Sequence, residues 1–123
     1  LCKYSYNYLS IVFIMSGNIT NRVEFKEYVK KYPVIIVKFT SDWCGPCKKV
    51  SPYIDKLMAK YYNINYLVVD VDEGRDVASY LKIRSIPTLV SYINNGDVHE
   101  FLSSSSPDDV AAFFKKTNTY TIK

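Results

Sequence analysis

Cysteine, histidine and long apolar runs are all scarce in this chain of 123 residues. Its three cysteines cannot all pair within one chain, and they are too few for a small secreted scaffold held together by disulfides. A single histidine leaves little from which to assemble the four ligands of a structural zinc site. The apolar run Tyr8 to Met15 is too short to span a bilayer, which takes about 20 residues, so no membrane partner is expected. A basic stripe is also missing. The net charge is only +4, and the lysine pairs Lys30/Lys31, Lys48/Lys49 and Lys115/Lys116 are scattered among carboxylates. Nucleic acid is therefore not an expected partner, and the charge serves mainly solubility. Repeats, linkers and low-complexity segments are absent, while a 48% hydrophobic content suffices for one ordinary core.

The first segment, "LCKYSYNYLSIVFIM", does not begin with methionine. The simplest expectation makes Met15 the true start and the residues before it an extension. In the alternative, Lys3 and the apolar run are the flank and core of a short signal peptide. Cys2 receives no role. The expected organisation is an extension over 1–17, one domain over 18–118 and a tail over 119–123.

Periodicity orders the rest. In "NRVEFKEYVKKY", Phe25, Tyr28, Val29 and Tyr32 recur at helical spacing over 21–32, with Asn21 and Glu24 as a capping box and Pro33 as the stop. "VIIVKF", 34–39, reads as a strand buried on both faces, hence central in a sheet with helices on either side. A helix should run from about Cys44 to Tyr62, kinked at Pro52. A second buried strand follows at 65–71, then a short helix at 75–83 with Val77, Tyr80 and Leu81 inward. Strands at 88–93 and 98–102 flank "NNGD", a hairpin signal in which Asn95-Gly96 can supply positive φ. Ser106 should cap, and Pro107 begin, a last helix with Val110, Phe113 and Phe114 facing the core.

"SDWCGPCKKVSP" carries the chemistry. Zinc would need ligands that the chain can offer only as Cys2 and His99, and His99 is expected to be an ordinary exposed residue beside a turn. A structural disulfide between Cys44 and Cys47 would close a very short loop and remove little chain entropy. Such a short ring is also easily reduced. A pair that stabilises little and reduces readily suits redox exchange. Its place after a central strand and at a helix start exposes Cys44 to free N–H groups and the positive end of the dipole. Cys44 should therefore be the low-pKa attacking sulfur, and Cys47, one turn on and more buried, the resolving one. Pro46 fixes φ between them and removes one N–H donor.

Taken together, "FTSDWCGPCKKVSPYIDKLMAKY", "VDVDE" and "LKIRSIPTLVSYINNGDV" resemble the thioredoxin family over roughly residues 18–118. The resemblance implies an α/β thioredoxin fold, a central mixed sheet with helices on both faces. It makes Cys44 the nucleophile and Cys47 the resolving thiol, with Trp43, Gly45 and Pro46 shaping the site. Pro46 is then expected to favour the reducing end of the potential range. Pro87 would be a cis-proline packed against the disulfide, and the Ile86 backbone would pair with an extended substrate segment. The implied activity is reduction of disulfide-bearing client proteins by dithiol–disulfide exchange in a cytoplasmic monomer. Neither a metal nor an organic cofactor is implied, and electrons would come from thioredoxin reductase or a small thiol.

Four positions depart from the family pattern. Lys38 stands where a buried aspartate is usual, Val68 where its accompanying lysine is, and Thr40 where an aromatic residue is. Ser104, in a serine run, falls where a groove glycine is expected and gives the substrate groove a more polar edge. Lys38 admits three readings: a neutral amine that moves the proton of Cys47, a cation that stabilises the Cys44 thiolate and makes the protein less reducing, or a stem packed in the sheet with its head snorkelling to water. Two further functions stay open. One is an adaptor that works through its surface. The other is a disulfide oxidase or isomerase, which requires residues 1–14 to be a secretory signal.

Overall fold

A computed structural model describes residues 19–121. Cys2, the apolar run Tyr8–Met15 and the expected 1–17 extension lie outside the described residues, as does the end of the expected tail.

The described elements are α1 (Arg22–Val29), β1 (Val34–Thr40), α2 (Gly45–Lys60), β2 (Asn65–Asp70), α3 (Arg75–Tyr80), β3 (Thr88–Ile93), β4 (Asp97–Leu102) and α4 (Pro107–Asn118). The strands form one mixed sheet in the order β2-β1-β3-β4. β1 runs parallel to β2 and antiparallel to β3, and β3 pairs antiparallel with β4.

Period-two alternation along β1 builds two cores from one strand. Ile35, Val37 and Phe39 face one layer with Phe25 and Val29 of α1 and Val77 of α3. Val34 and Ile36 face the other with Val50, Ile54, Leu57 and Met58 of α2 and Val110, Phe113 and Phe114 of α4. β1 is buried along its first six residues, as its composition requires. β2 is less central than expected: it lies at one edge of the described sheet, with Asn65, Val68 and Asp70 only half-buried.

Local signals set the helix ends. Asn21 caps α1 by accepting the Glu24 N–H at 2.9 Å, and its own amide donates to the Glu24 carboxylate at 3.1 Å. α1 stops at Val29, three residues short of the expected end, and Tyr28 and Tyr32 pair through a hydroxyl–hydroxyl bond of 2.9 Å. Ser106 caps α4 ahead of Pro107. α3 ends at Tyr80 rather than 83, because Lys82 takes a left-handed conformation (φ 57°) and its neighbour Ile83 donates back to the Ala78 carbonyl at 2.9 Å. The shorter helix turns Ala78 inward and leaves Tyr80 exposed, where Arg22 and Lys26 of α1 lie over its ring. The hairpin turn uses positive φ at Asn94, Asn95 and Gly96, one residue more than expected.

His99 is half-buried rather than exposed. Its ring meets Tyr120 edge-on at 4.6 Å, in a 3-10 turn (Thr119–Thr121) that continues α4. No helix among the described residues is long and apolar enough to cross a membrane.

Candidate functional site

Strand register gathers the site at one end of the sheet. Thr40 at the end of β1 pairs with Asp70 at the end of β2. Phe39 pairs with Thr88, the first residue of β3, and Leu89 pairs with Leu102, the last of β4. The segments Ser41–Cys44, Val71–Gly74, Ser85–Pro87 and Ser103–Ser106 therefore emerge together. Loops beyond the carboxyl ends of parallel strands are where α/β sheets bind ligands.

Cys44 and Cys47 are joined in a disulfide, with Cα atoms 5.3 Å apart. Both are buried, Cys47 to 1% exposure and Cys44 to 3%. Cys44 is the N-cap of α2, and its Sγ accepts the Cys47 backbone N–H at 3.1 Å. A sulfur in this position meets one of the otherwise unpaired donors of the first turn, which would favour its anionic form once the disulfide opens. Pro46, in the first turn, has no donor to compete. Gly45 faces open space, since a Cβ there would meet nothing within 4 Å.

Trp43 is 70% exposed, yet its indole is fixed: Nε1 donates to Asp72 Oδ2 at 2.9 Å. Asp72 is held in turn by its N–H on Asp70 Oδ1 at 2.8 Å. Asp72 was not singled out from the sequence, although its place just beyond the end of β2 was a usable signal. Gly74 closes the same loop. Its N–H donates to the Asp70 carbonyl at 2.7 Å, and a Cβ there would fall 2.8 Å from Val69 Cγ1 and 3.1 Å from that carbonyl.

The Ile86–Pro87 bond is cis. Pro87 is buried and Ile86 half-buried against the α1-side core. Thr88 steadies the turn, donating from Oγ1 to the Ser85 carbonyl at 2.7 Å and pairing with the Ser103 hydroxyl at 2.9 Å. Ser104 turns towards α4: its hydroxyl donates to Asp109 at 2.8 Å and accepts the Ser106 N–H at 3.0 Å. Its neighbour Ser105, with Gly45, Pro46, Lys48 and Lys49, lines an open depression at the start of α2.

Lys38 is only 4% exposed. Alternation directs it to the α2 face, between Val68 on β2 and Leu89 on β3. Its head does not snorkel to water. Nζ donates to Ser51 Oγ, and that hydroxyl donates to the Cys47 carbonyl at 3.0 Å. Burial pulls the lysine pKa down from 10.5 to about 8, partly opposed by the Asp55 carboxylate. Ser51 also escaped the sequence reading, although it stands one helical turn after Cys47. Among the described residues, no group of three or more His, Cys, Asp and Glu side chains is placed to hold a metal ion.

The thioredoxin family model matches residues 17–116. A thioredoxin of Ophiophagus hannah is 37% identical over 83 residues, 68% of this chain and 78% of that protein. Thioredoxin-2 of Pyricularia oryzae is 36% identical over 90 residues, 73% of this chain and 53% of that protein. The oxidised mitochondrial thioredoxin 3 of Saccharomyces cerevisiae superposes with a TM-score of 0.73 at 28% identity, covering 82% of this chain and 97% of that one. With the thioredoxin fold and a paired C-x-x-C at its helix start, the chain belongs to the thioredoxin family and is a thiol–disulfide oxidoreductase, a protein-disulfide reductase working by dithiol–disulfide exchange.

Proposed function

We propose that Cys44 is the attacking sulfur and Cys47 the resolving one. The observation that carries this assignment is the N-cap bond from the Cys47 N–H to Cys44 Sγ. Only the first sulfur of the pair stands at the helix end, where a thiolate is favoured. The Cys44 thiolate attacks a client disulfide, bonding to one client sulfur and expelling the other as thiolate. Cys47 then loses its proton and attacks Cys44 Sγ, which releases the second client sulfur and leaves the Cys44–Cys47 disulfide. Two electrons pass to the client, and a reductase or small thiol must restore them.

In this reading the indole of Trp43, anchored on Asp72, forms one wall of the client site. Ile86 and the cis Pro87 form the opposite wall and offer the Ile86 backbone to an extended client segment. Gly45 and Pro46 shape the turn between the sulfurs. Ser104 acts at one remove, by bracing the start of α4 beside Ser105. A monomer suffices, because both sulfurs lie on one chain. A reducing compartment such as the cytoplasm suits a pair that must be kept as dithiol. Sequencing the mature N-terminus would test whether residues 1–14 direct the chain elsewhere.

The direct test follows insulin reduction driven by dithiothreitol, with mass analysis of trapped adducts. Cys47→Ser should accumulate a mixed disulfide at Cys44, and Cys44→Ser should be inactive. An active Cys44→Ser variant, or an adduct found at Cys47 instead, would refute the assignment. Retained client binding with no reduction by the wild type would favour the adaptor reading.

A further inference from the structure

Lys38 is the one Lys, Arg, His, Asp or Glu side chain buried in the core among the described residues, and the exchange as written above does not use it. Its surroundings are largely apolar. β2 and β3 present Val68 and Leu89 beside it, and α4 presents Val110, Phe113 and Phe114 to the same layer. The titratable groups on this side are few. Tyr66 of β2 is fully enclosed and kept neutral by burial, and Asp55 of α2 acts on Lys38 electrostatically. The two cysteines stand at the start of the same helix.

The fixed contact of the amine points towards the cysteines. Nζ bonds to Ser51, and Ser51 bonds to the carbonyl of Cys47. Along the helix axis Ser51 lies about 6 Å from Cys47, whereas Asp55 lies about 12 Å from it, at 1.5 Å per residue. The cationic end of the pair is thus nearer the sulfurs than the anionic end, and this pair's contribution to the potential there is positive.

We propose that Lys38 and Ser51 are positioning residues for the exchange: the ammonium, held through the Ser51 hydroxyl on the Cys47 side of α2, favours the thiolate-bearing dithiol over the neutral disulfide and makes this protein a stronger oxidant than the same chain without that charge. This rests on Cys44 and Cys47 being the exchanging pair. In a glutathione buffer the balance is complete. Two glutathione thiols give up two electrons and two protons and become glutathione disulfide. The Cys44–Cys47 bond takes both electrons, Cys47 takes one proton, and Cys44 remains a thiolate while the other proton goes to solvent. Charge appears only on the reduced side, so a nearby cation shifts the equilibrium towards it. At pH 7 the amine is charged, since its pKa of about 8 lies above that pH. Cys44, which carries the thiolate, lies three residues further towards the helix start, so a cation at about 10 Å, opposed by an anion at about 16 Å in an effective dielectric of about 20, leaves roughly a threefold effect.

The test equilibrates full-length wild type, Lys38→Met and Ser51→Ala in glutathione buffers at pH 7 and fixed ionic strength. Dithiol and disulfide are counted by mass after alkylation. Lys38→Met should shift the equilibrium constant towards the disulfide by about threefold, equivalent to about 14 mV for this two-electron couple. Ser51→Ala should shift it in the same direction by less. A lysine with a merely structural role would alter urea stability and leave this constant unmoved. A folded Lys38→Met variant with the wild-type constant overturns the proposal. Should that variant fail to fold, an unmoved constant in Ser51→Ala does the same. If the wild type itself never passes between dithiol and Cys44–Cys47 disulfide across the buffers, the exchange assignment falls and this inference with it. Unmoved constants in a wild type that does titrate overturn the Lys38 inference alone.

Discussion

Replacing Lys38 with methionine should flatten a stability curve that otherwise climbs with pH. The wild-type amine has a folded pKa of about 8 against an ordinary 10.5. In the oxidised protein at pH 7 it is charged in both folded and unfolded states, and burial of that charge costs about 3 kcal/mol at 1.36 kcal/mol per unit of pKa difference. Between pH 8 and 10.5 the folded chain holds fewer protons than the unfolded chain. Stability therefore rises with pH through that window and falls back as pH drops through 8. Integration from pH 7 to 9.5 gives a gain of about 2 kcal/mol for wild type relative to Lys38→Met. Methionine keeps most of the side-chain volume without the charge, so the variant should be at least as stable as wild type at pH 7. The range stops at 9.5 for a reason. Burial raises the pKa of Tyr28, Tyr66 and Tyr92, so their contribution is fully present below pH 10 and is lost above it, in both proteins alike. The assay is urea unfolding of the oxidised proteins at constant ionic strength, with Cys2→Ser in both backgrounds to prevent disulfide reshuffling. At an m value of about 2 kcal/mol/M, the wild-type midpoint should gain about 1 M relative to the variant across the range. Parallel midpoints from pH 7 to 9.5 would refute the claim that this amine is held inside against its preference for water.

Two further outcomes follow from the loop that carries the tryptophan anchor. Gly74→Ala should cost about 1–3 kcal/mol in urea unfolding, because the added methyl meets Val69 and the Asp70 carbonyl at distances that force the loop to shift; an unchanged midpoint would show that the loop gives way freely. Asp72→Ala should release the indole of Trp43, seen as lower fluorescence anisotropy of the only tryptophan, and slow insulin reduction severalfold while leaving urea stability within about 0.5 kcal/mol; unchanged anisotropy would mean that packing, not the Asp72 bond, holds the ring.

The elements that were legible carry their signals locally. Asn21, Ser106 and Pro107 mark helix starts because the groups they satisfy lie within one turn. "NNGD" marks a hairpin because positive φ is a property of the residues themselves. The two-sided burial of β1 was readable from its β-branched run, interrupted only by Lys38. Tyr80 and His99 depart from expectation for different reasons. Tyr80 is exposed because the turn at Lys82 ends α3 early and brings Ala78 inward, whereas His99 is half-buried by Tyr120, a partner from far along the chain. No window of neighbouring residues contains that partner. Asp72 was hidden similarly, since its bond to Trp43 spans two different strand ends.

The sequence by itself determined the order of strands and helices, the helix caps, and a cysteine pair at a helix start, because each follows from local conformational preference or a short motif. Lys38 could be seen there only as a charge out of place with three possible fates. Tertiary structure decided among its surroundings. Strand alternation sent it to the α2 face, packing sealed that face from water, and its amine met the hydroxyl of Ser51, itself bonded to Cys47. Whether a buried charge is stranded or tied to the chemistry depends on contacts between elements, and those exist only once strand and helix are packed together.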